Sequence, residues 1–151
     1  MGAVTDVLDA MTGQRVYFDA NVFVYFLDQH PDYFELVEPL LRAAYDGRII
    51  AVTGDAVVAE VMVKPYQLAN PIQIREIESF FATRHLLEVR SHSSDDFDAA
   101  ARLRAGARMK FIDALHYATA VNARCQYLVT NGGGFTTSPE ITGVPIQSLR
   151  R

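Results

Sequence analysis

Arg15-Val16-Tyr17-Phe18-Asp19-Ala20-Asn21-Val22-Phe23-Val24-Tyr25-Phe26-Leu27-Asp28 is the stretch on which the fold turns. It opens with β-branched and aromatic residues, the composition of a short buried strand from Arg15 to Asp19. Asn21 to Leu27 then reads as a short, strongly apolar helix, with either Asp19 or Asn21 placed to cap it. A carboxylate set between an apolar strand and an apolar helix is costly to desolvate. It needs a cation, a donor or water beside it. The same break recurs at Glu60, inside the apolar run 56–63, and at Asp113, inside 109–120. Local failures of patterning of this kind are where functional sites are expected.

Outward from this stretch, helical and strand signals alternate. Residues 1–14 read as a leader ending in a Thr12-Gly13 turn. After the break at His30-Pro31, Phe34, Val37, Leu40, Leu41 and Ala44 have helical spacing, which predicts a helix from about Asp32 to Tyr45. Arg48 to Thr53 is a second buried strand. Gly54-Asp55 starts a helix that carries Glu60 and is expected to stop near Lys64-Pro65. Asn70-Pro71 opens the next helix, and Leu86 to Arg90 is a third strand. Ser93-Ser94-Asp95-Asp96 is a helix-start signature, and a further helix runs from about Ile112 to Ala123. Gln126 to Thr130 is strand four, and Val144 to Leu149 closes the chain as strand five. Strands separated by helices throughout indicate an α/β fold, one domain with a central, mostly parallel five-stranded sheet flanked by helices. Ligands in such sheets bind beyond the carboxyl ends of the strands, where Asp19 and Asn131 both fall.

Composition narrows the classes. With 151 residues, half of them apolar and about a fifth charged, the chain has the profile of an ordinary globular domain. No apolar run approaches the ~18 residues of a membrane span, and residues 1–14 lack the basic start of a signal peptide. Cys125 is the only cysteine, which excludes an intrachain disulfide and a cysteine-based zinc site. A reducing, cytoplasmic setting is the expectation. The net charge of −4 argues against holding long nucleic acid by bulk electrostatics. It is compatible with local handling of nucleic acid through metal ions and a few cations. Arg102, Arg104, Arg108 and Lys110 cluster just upstream of Asp113, either as a solvated helix face or as phosphate contacts, with Arg108 and Lys110 first among the latter.

Three acids brought together repel one another unless a cation intervenes. Hard oxygen donors, with no cysteine and no histidine pair at ligand spacing, suit Mg²⁺ or Mn²⁺ rather than Zn²⁺. Ions held this way are the usual device for hydrolysing phosphodiesters. Taken singly, each acid also has a structural reading, as a helix cap or a surface residue. His116 lies one turn after Asp113 and therefore on the same helix face.

The segments Phe18-Asp19-Ala20-Asn21-Val22-Phe23, Ala59-Glu60-Val61, 113–120 (Asp-Ala-Leu-His-Tyr-Ala-Thr-Ala) and Leu128-Val129-Thr130-Asn131 together resemble a PIN-domain protein. More narrowly, they are similar to the VapC-like toxins of bacterial toxin–antitoxin pairs. The likeness runs from about Arg15 to Leu149, in the family's order. It implies a Mg²⁺- or Mn²⁺-dependent ribonuclease with Asp19, Glu60 and Asp113 as its catalytic, metal-binding acids. It also implies RNA as substrate, a homodimer and a small antitoxin protein as partner. Asn21, Thr130, Asn131 and His116 are the supporting candidates.

One position departs from the family pattern. Where a fourth acid commonly follows the Thr-Asn pair, this chain has Gly132. That leaves open a PIN-fold binding or regulatory module without catalysis. A haloacid-dehalogenase-like phosphatase, with Asp19 as nucleophile, would want a second Asp where Asn21 stands and a lysine that neither Lys64 nor Lys110 supplies well.

Overall fold

The computed structural model describes residues 2–131 and 140–150. Five parallel strands form one sheet: β1 Arg15–Phe18, β2 Ile50–Gly54, β3 Glu88–Arg90, β4 Tyr127–Thr130 and β5 Thr142–Pro145. Their order across the sheet is β3-β2-β1-β4-β5, so the quoted stretch supplies the central strand. Val16, Tyr17 and Phe18 are fully buried, as expected of a parallel strand covered on both faces. The chain builds outward from β1 to one side through β2 and β3, then crosses back to lay β4 on the other side. The strand order therefore reverses between β1 and β4, and in such sheets ligands bind beyond the carboxyl ends of the strands at this switch point.

The described helices are α1 Ala3–Met11, α2 Ala20–Leu27, α3 Phe34–Tyr45, α4 Asp55–Leu68, α5 Pro71–Phe81, α6 Ser94–Gly106 and α7 Phe111–Asn122. Among the described residues, none is long and apolar enough to cross a membrane. Asp19 resolves the choice of cap for α2, since its Oδ1 accepts the Ala20 N–H at 2.7 Å. Asn70 caps α5 through the Gln73 N–H, with Pro71 in the first turn. Ser93 and Asp96 form a reciprocal capping box on α6. Asp96 also accepts a hydrogen bond from Asn122 at 2.7 Å, which ties α6 to α7 and fixes the helix that carries Asp113 and His116.

Three expectations change. The leader contains α1, whose Val4, Val7, Leu8 and Met11 pack on the core. Those positions have the spacing of a helix face, and Asp6 and Asp9 on the other side mask it. Helix α4 continues through Pro65 to Leu68. Proline forfeits one backbone bond in the final turns, but burial of Val61, Met62 and Pro65 holds the segment. The left-handed Ala69, φ 50°, then ends it. Lastly, β5 stops at Pro145, and Ile146–Leu149 is a 3₁₀ turn. Ile146 and Leu149, three apart and both buried, fall on one side of such a turn.

Candidate metal centre

Asp19 follows β1 at the switch point of the sheet, almost completely buried. Backbone and side chain both fix it. Its N–H donates to Val129 O at 3.0 Å, Oδ1 accepts the Ala20 N–H, and Oδ2 accepts Thr130 Oγ1–H at 2.6 Å. Thr130 therefore orients the acid. Beside it, Thr53 Oγ1–H donates to Phe18 O at 2.8 Å and pins the end of β1 to β2.

Glu60 comes from the middle of α4, with its side chain partly open to solvent. His116, from α7, is 1% exposed, and its Nε2 lies 2.8 Å from Glu60 Oε1 and 3.8 Å from Asp19 Oδ1. One ligand atom from each of Asp19, Glu60 and His116 falls within 4.8 Å of the other two. Asp113, in the first turn of α7, is half-buried and stands outside that group. It is nonetheless in the same electrostatic neighbourhood. Burial raises its carboxyl above the ordinary carboxylate range, the charge of Asp19 adds to this and Glu60 adds less, while His116 and Lys110 oppose them.

This donor set fits a hard divalent cation. Two carboxylates converge, and a third is held against ionisation by burial and, to a lesser degree, by their charge, a penalty that a bound cation would relieve. Asn131, a supporting candidate from the sequence, follows β4. Its Nδ2 donates to Tyr25 Oη at 2.7 Å, while its buried Oδ1 has no hydrogen-bond partner among the described residues.

The remaining candidates fall as follows. Asn21 is in the first turn of α2 and half-buried. Lys110 precedes α7 and Arg108 lies just upstream, both exposed, and the charge of Lys110 reaches Asp113. Gly132 lies outside the described residues.

Two site residues escaped the sequence reading. Tyr17 Oη lies 2.9 Å from His116 Nδ1. Burial pushes its phenol far above the ordinary tyrosine value, and the charge of Asp19 adds to the shift. His92 packs on the other side of this cluster, its ring centroid 5.9 Å from that of His116. Its Nε2 accepts the Ala56 N–H at 3.2 Å, and its Nδ1 lies 2.7 Å from Thr119 Oγ1. Burial lowers its pKa, and the neighbouring His116 lowers it further. A tyrosine in a wholly apolar strand was itself a signal, because a buried phenol hydroxyl needs a partner.

An all-parallel α/β sheet with acids gathered at its central switch point defines a class of α/β domains whose ligands bind beyond the strand ends. A family model described as "PIN domain" matches residues 16–138, and the chain belongs to that family. The phosphatase alternative falls with that assignment. No curated protein matches the chain. Among solved structures, it is similar to a toxin–antitoxin complex from Klebsiella pneumoniae (TM-score 0.68, 19% identity), covering 87% of this chain and 97% of that one. It is also similar to VapBC2 from Rickettsia felis bound to a DNA fragment from their promoter (TM-score 0.67, 20% identity, 87% and 98% covered). A third is VapC20 of Mycobacterium tuberculosis, described as a sarcin–ricin loop cleaving toxin (TM-score 0.62, 11% identity, 75% and 86% covered). At these identities the likeness is one of fold.

Proposed function

We propose that this PIN-domain protein is a divalent-metal-dependent endoribonuclease and the toxin of a toxin–antitoxin pair. The observation that supports it is the convergence of Asp19 and Glu60 at the carboxyl ends of the strands, with Asp113 perturbed by both charges. Asp19, Glu60 and Asp113 would hold Mg²⁺ or Mn²⁺. Such an ion, when bound, supplies an activated water and offsets charge on the phosphate.

The chain's own residues do the positioning. Thr130 and the Ala20 N–H fix both oxygens of Asp19, and His116 holds Glu60. Fixing the donors beforehand removes the cost of ordering them at the moment of reaction. Arg108 and Lys110 offer exposed cations to the RNA phosphates beside α7. Solved relatives of this fold include toxin–antitoxin complexes, which favours an antitoxin protein as partner; a homodimer acting in the cytoplasm completes the proposal.

The test is cleavage of mixed tRNA and rRNA by the purified protein, with Mg²⁺ or Mn²⁺ against EDTA and with Asp19→Asn in parallel. Metal-dependent cleavage by the wild type that is lost in Asp19→Asn is the expected result. Absence of both cleavage and Mn²⁺ binding in the wild type would overturn the reading in favour of a binding module.

A further inference from the structure

Tyr17, His116 and Glu60 form a hydrogen-bonded chain running from the buried centre of the sheet to its rim. By distance alone, His116 Nε2 looks like a third ligand beside the carboxylates of Asp19 and Glu60. The protons on the ring decide otherwise. A carboxylate only accepts, so the 2.8 Å contact with Glu60 Oε1 places a hydrogen on Nε2. In a neutral imidazole Nδ1 is then the acceptor, and the Tyr17 O–H donates to it across 2.9 Å. The two bonds demand the same tautomer and so reinforce each other; a doubly protonated ring would also donate to Glu60 but would oblige the Tyr17 oxygen to accept and strip its hydrogen of a buried acceptor. The opposite tautomer would set the Nε2 lone pair against Glu60 and force Tyr17 to accept. Its own hydrogen would then lose its acceptor in a site where Tyr17 is 0% exposed.

The remaining neighbours of the ring do not compete. His92 spends Nε2 on the Ala56 N–H, and its Nδ1–H donates to Thr119 Oγ1, so neither nitrogen is shared with His116. Asp19 Oδ1, at 3.8 Å from Nε2, lies beyond hydrogen-bonding distance and already accepts from Ala20.

We propose that Tyr17 locks His116 in the Nε2–H tautomer, so that His116 is a positioning residue that aims Glu60 and is not itself a metal ligand. The nitrogen within reach of the ion carries a proton, which leaves a centre of oxygen donors and disfavours ions that prefer imidazole. The tautomer follows from the hydrogen bonds of this chain. Only its consequence for metal choice rests on the metal-dependent reading above.

The experiment is NMR of the full-length, metal-free protein, labelled with ¹⁵N-histidine, at mildly alkaline pH. The His116 signals are assigned by their loss in His116→Gln. A single Nε2–H tautomer is expected in the wild type, and a predominant Nδ1–H form or an even mixture overturns the lock. Tyr17→Phe keeps the ring and deletes only the donor. It should give mixed tautomers and raise the ratio of Zn²⁺ to Mn²⁺ affinity about tenfold, the equilibrium equivalent of one neutral hydrogen bond. Tautomer and ratio both unchanged in a folded Tyr17→Phe would also overturn it. If that variant does not fold, the wild-type spectrum alone decides. A wild type showing the Nε2–H signature but binding no Mn²⁺ would sink the metal-dependent reading and leave the lock in place.

Discussion

Gly54→Ala tests whether the cluster of Tyr17, His92 and His116 behind the candidate metal centre is as tightly built as its geometry implies. A Cβ at position 54 would lie 2.5 Å from both Cε1 and Nε2 of His92 and 2.8 Å from Tyr17 Oη. Ordinary contact begins near 3.4 Å, so the imidazole would have to retreat by about 0.9 Å. It has little freedom to do so. The Ala56 N–H and Thr119 hold its two nitrogens, and Tyr17 is fixed in the central strand. Overpacking of this kind costs about 1–3 kcal/mol. Loss of one hydrogen bond to His92 adds about 1 kcal/mol. The sum, about 2–4 kcal/mol, is a large share of the roughly 5–15 kcal/mol that holds a domain together. Urea denaturation monitored by circular dichroism reads it directly. The control is Gly106→Ala, at the end of α6, where a Cβ meets nothing within 4 Å. It should be neutral or stabilising by up to about 1 kcal/mol. If Gly54→Ala costs less than about 0.5 kcal/mol, within the range of ordinary surface substitutions, the close packing of Tyr17 and His92 is refuted.

Two further outcomes follow from the electrostatics. Asp113 has a raised pKa in the folded protein, so its ionisation opposes folding as pH rises through that value. Asp113→Asn should therefore make the metal-free protein more stable at neutral pH while weakening Mn²⁺ binding, to be read by thermal melts with EDTA and with added Mn²⁺; a variant destabilised in EDTA would contradict this. Glu88 shows the opposite sign, since its hydrogen bond from Arg15 holds the carboxyl below the ordinary glutamate range. Its contribution is fully present above the ordinary glutamate pKa and is lost as pH falls through the lower folded value. The pair is partly exposed and worth under about 1 kcal/mol. Glu88→Gln should thus cost little near neutral pH and flatten the acid limb of the stability curve, measured by urea titrations at stepped pH.

The sheet was legible because a buried parallel strand announces itself, as β1 does, by an unbroken apolar run whose one carboxylate falls at its end. The caps Asn70, Ser93 and Asp96 were legible for the same local reason, each acting within three residues of its own position. Helix α1 was legible in principle, through Val4, Val7, Leu8 and Met11, but its polar face carried more visual weight. Pro65 misled because burial of its neighbours outweighs the single backbone bond that proline forfeits. The chain from Tyr17 to His116 joins residues 99 positions apart, and the contact of His116 with Glu60 spans 56. Periodicity is blind to such pairings, which depend on which strand end a helix happens to cross.

Asp19 has two duties in the proposed mechanism, since the oxygen that caps α2 belongs to the same carboxyl group that would face the metal. Asparagine, serine or threonine could retain the first duty without the second, whereas alanine would forfeit both. Descendants of this fold that lost their chemistry would thus still be under pressure to keep a polar residue at position 19, for the sake of the helix. Position 19 thus serves foldability as well as the proposed chemistry, whereas Glu60 and Asp113, which cap no helix among the described residues, are the positions where a catalytic and a non-catalytic form of this fold would part.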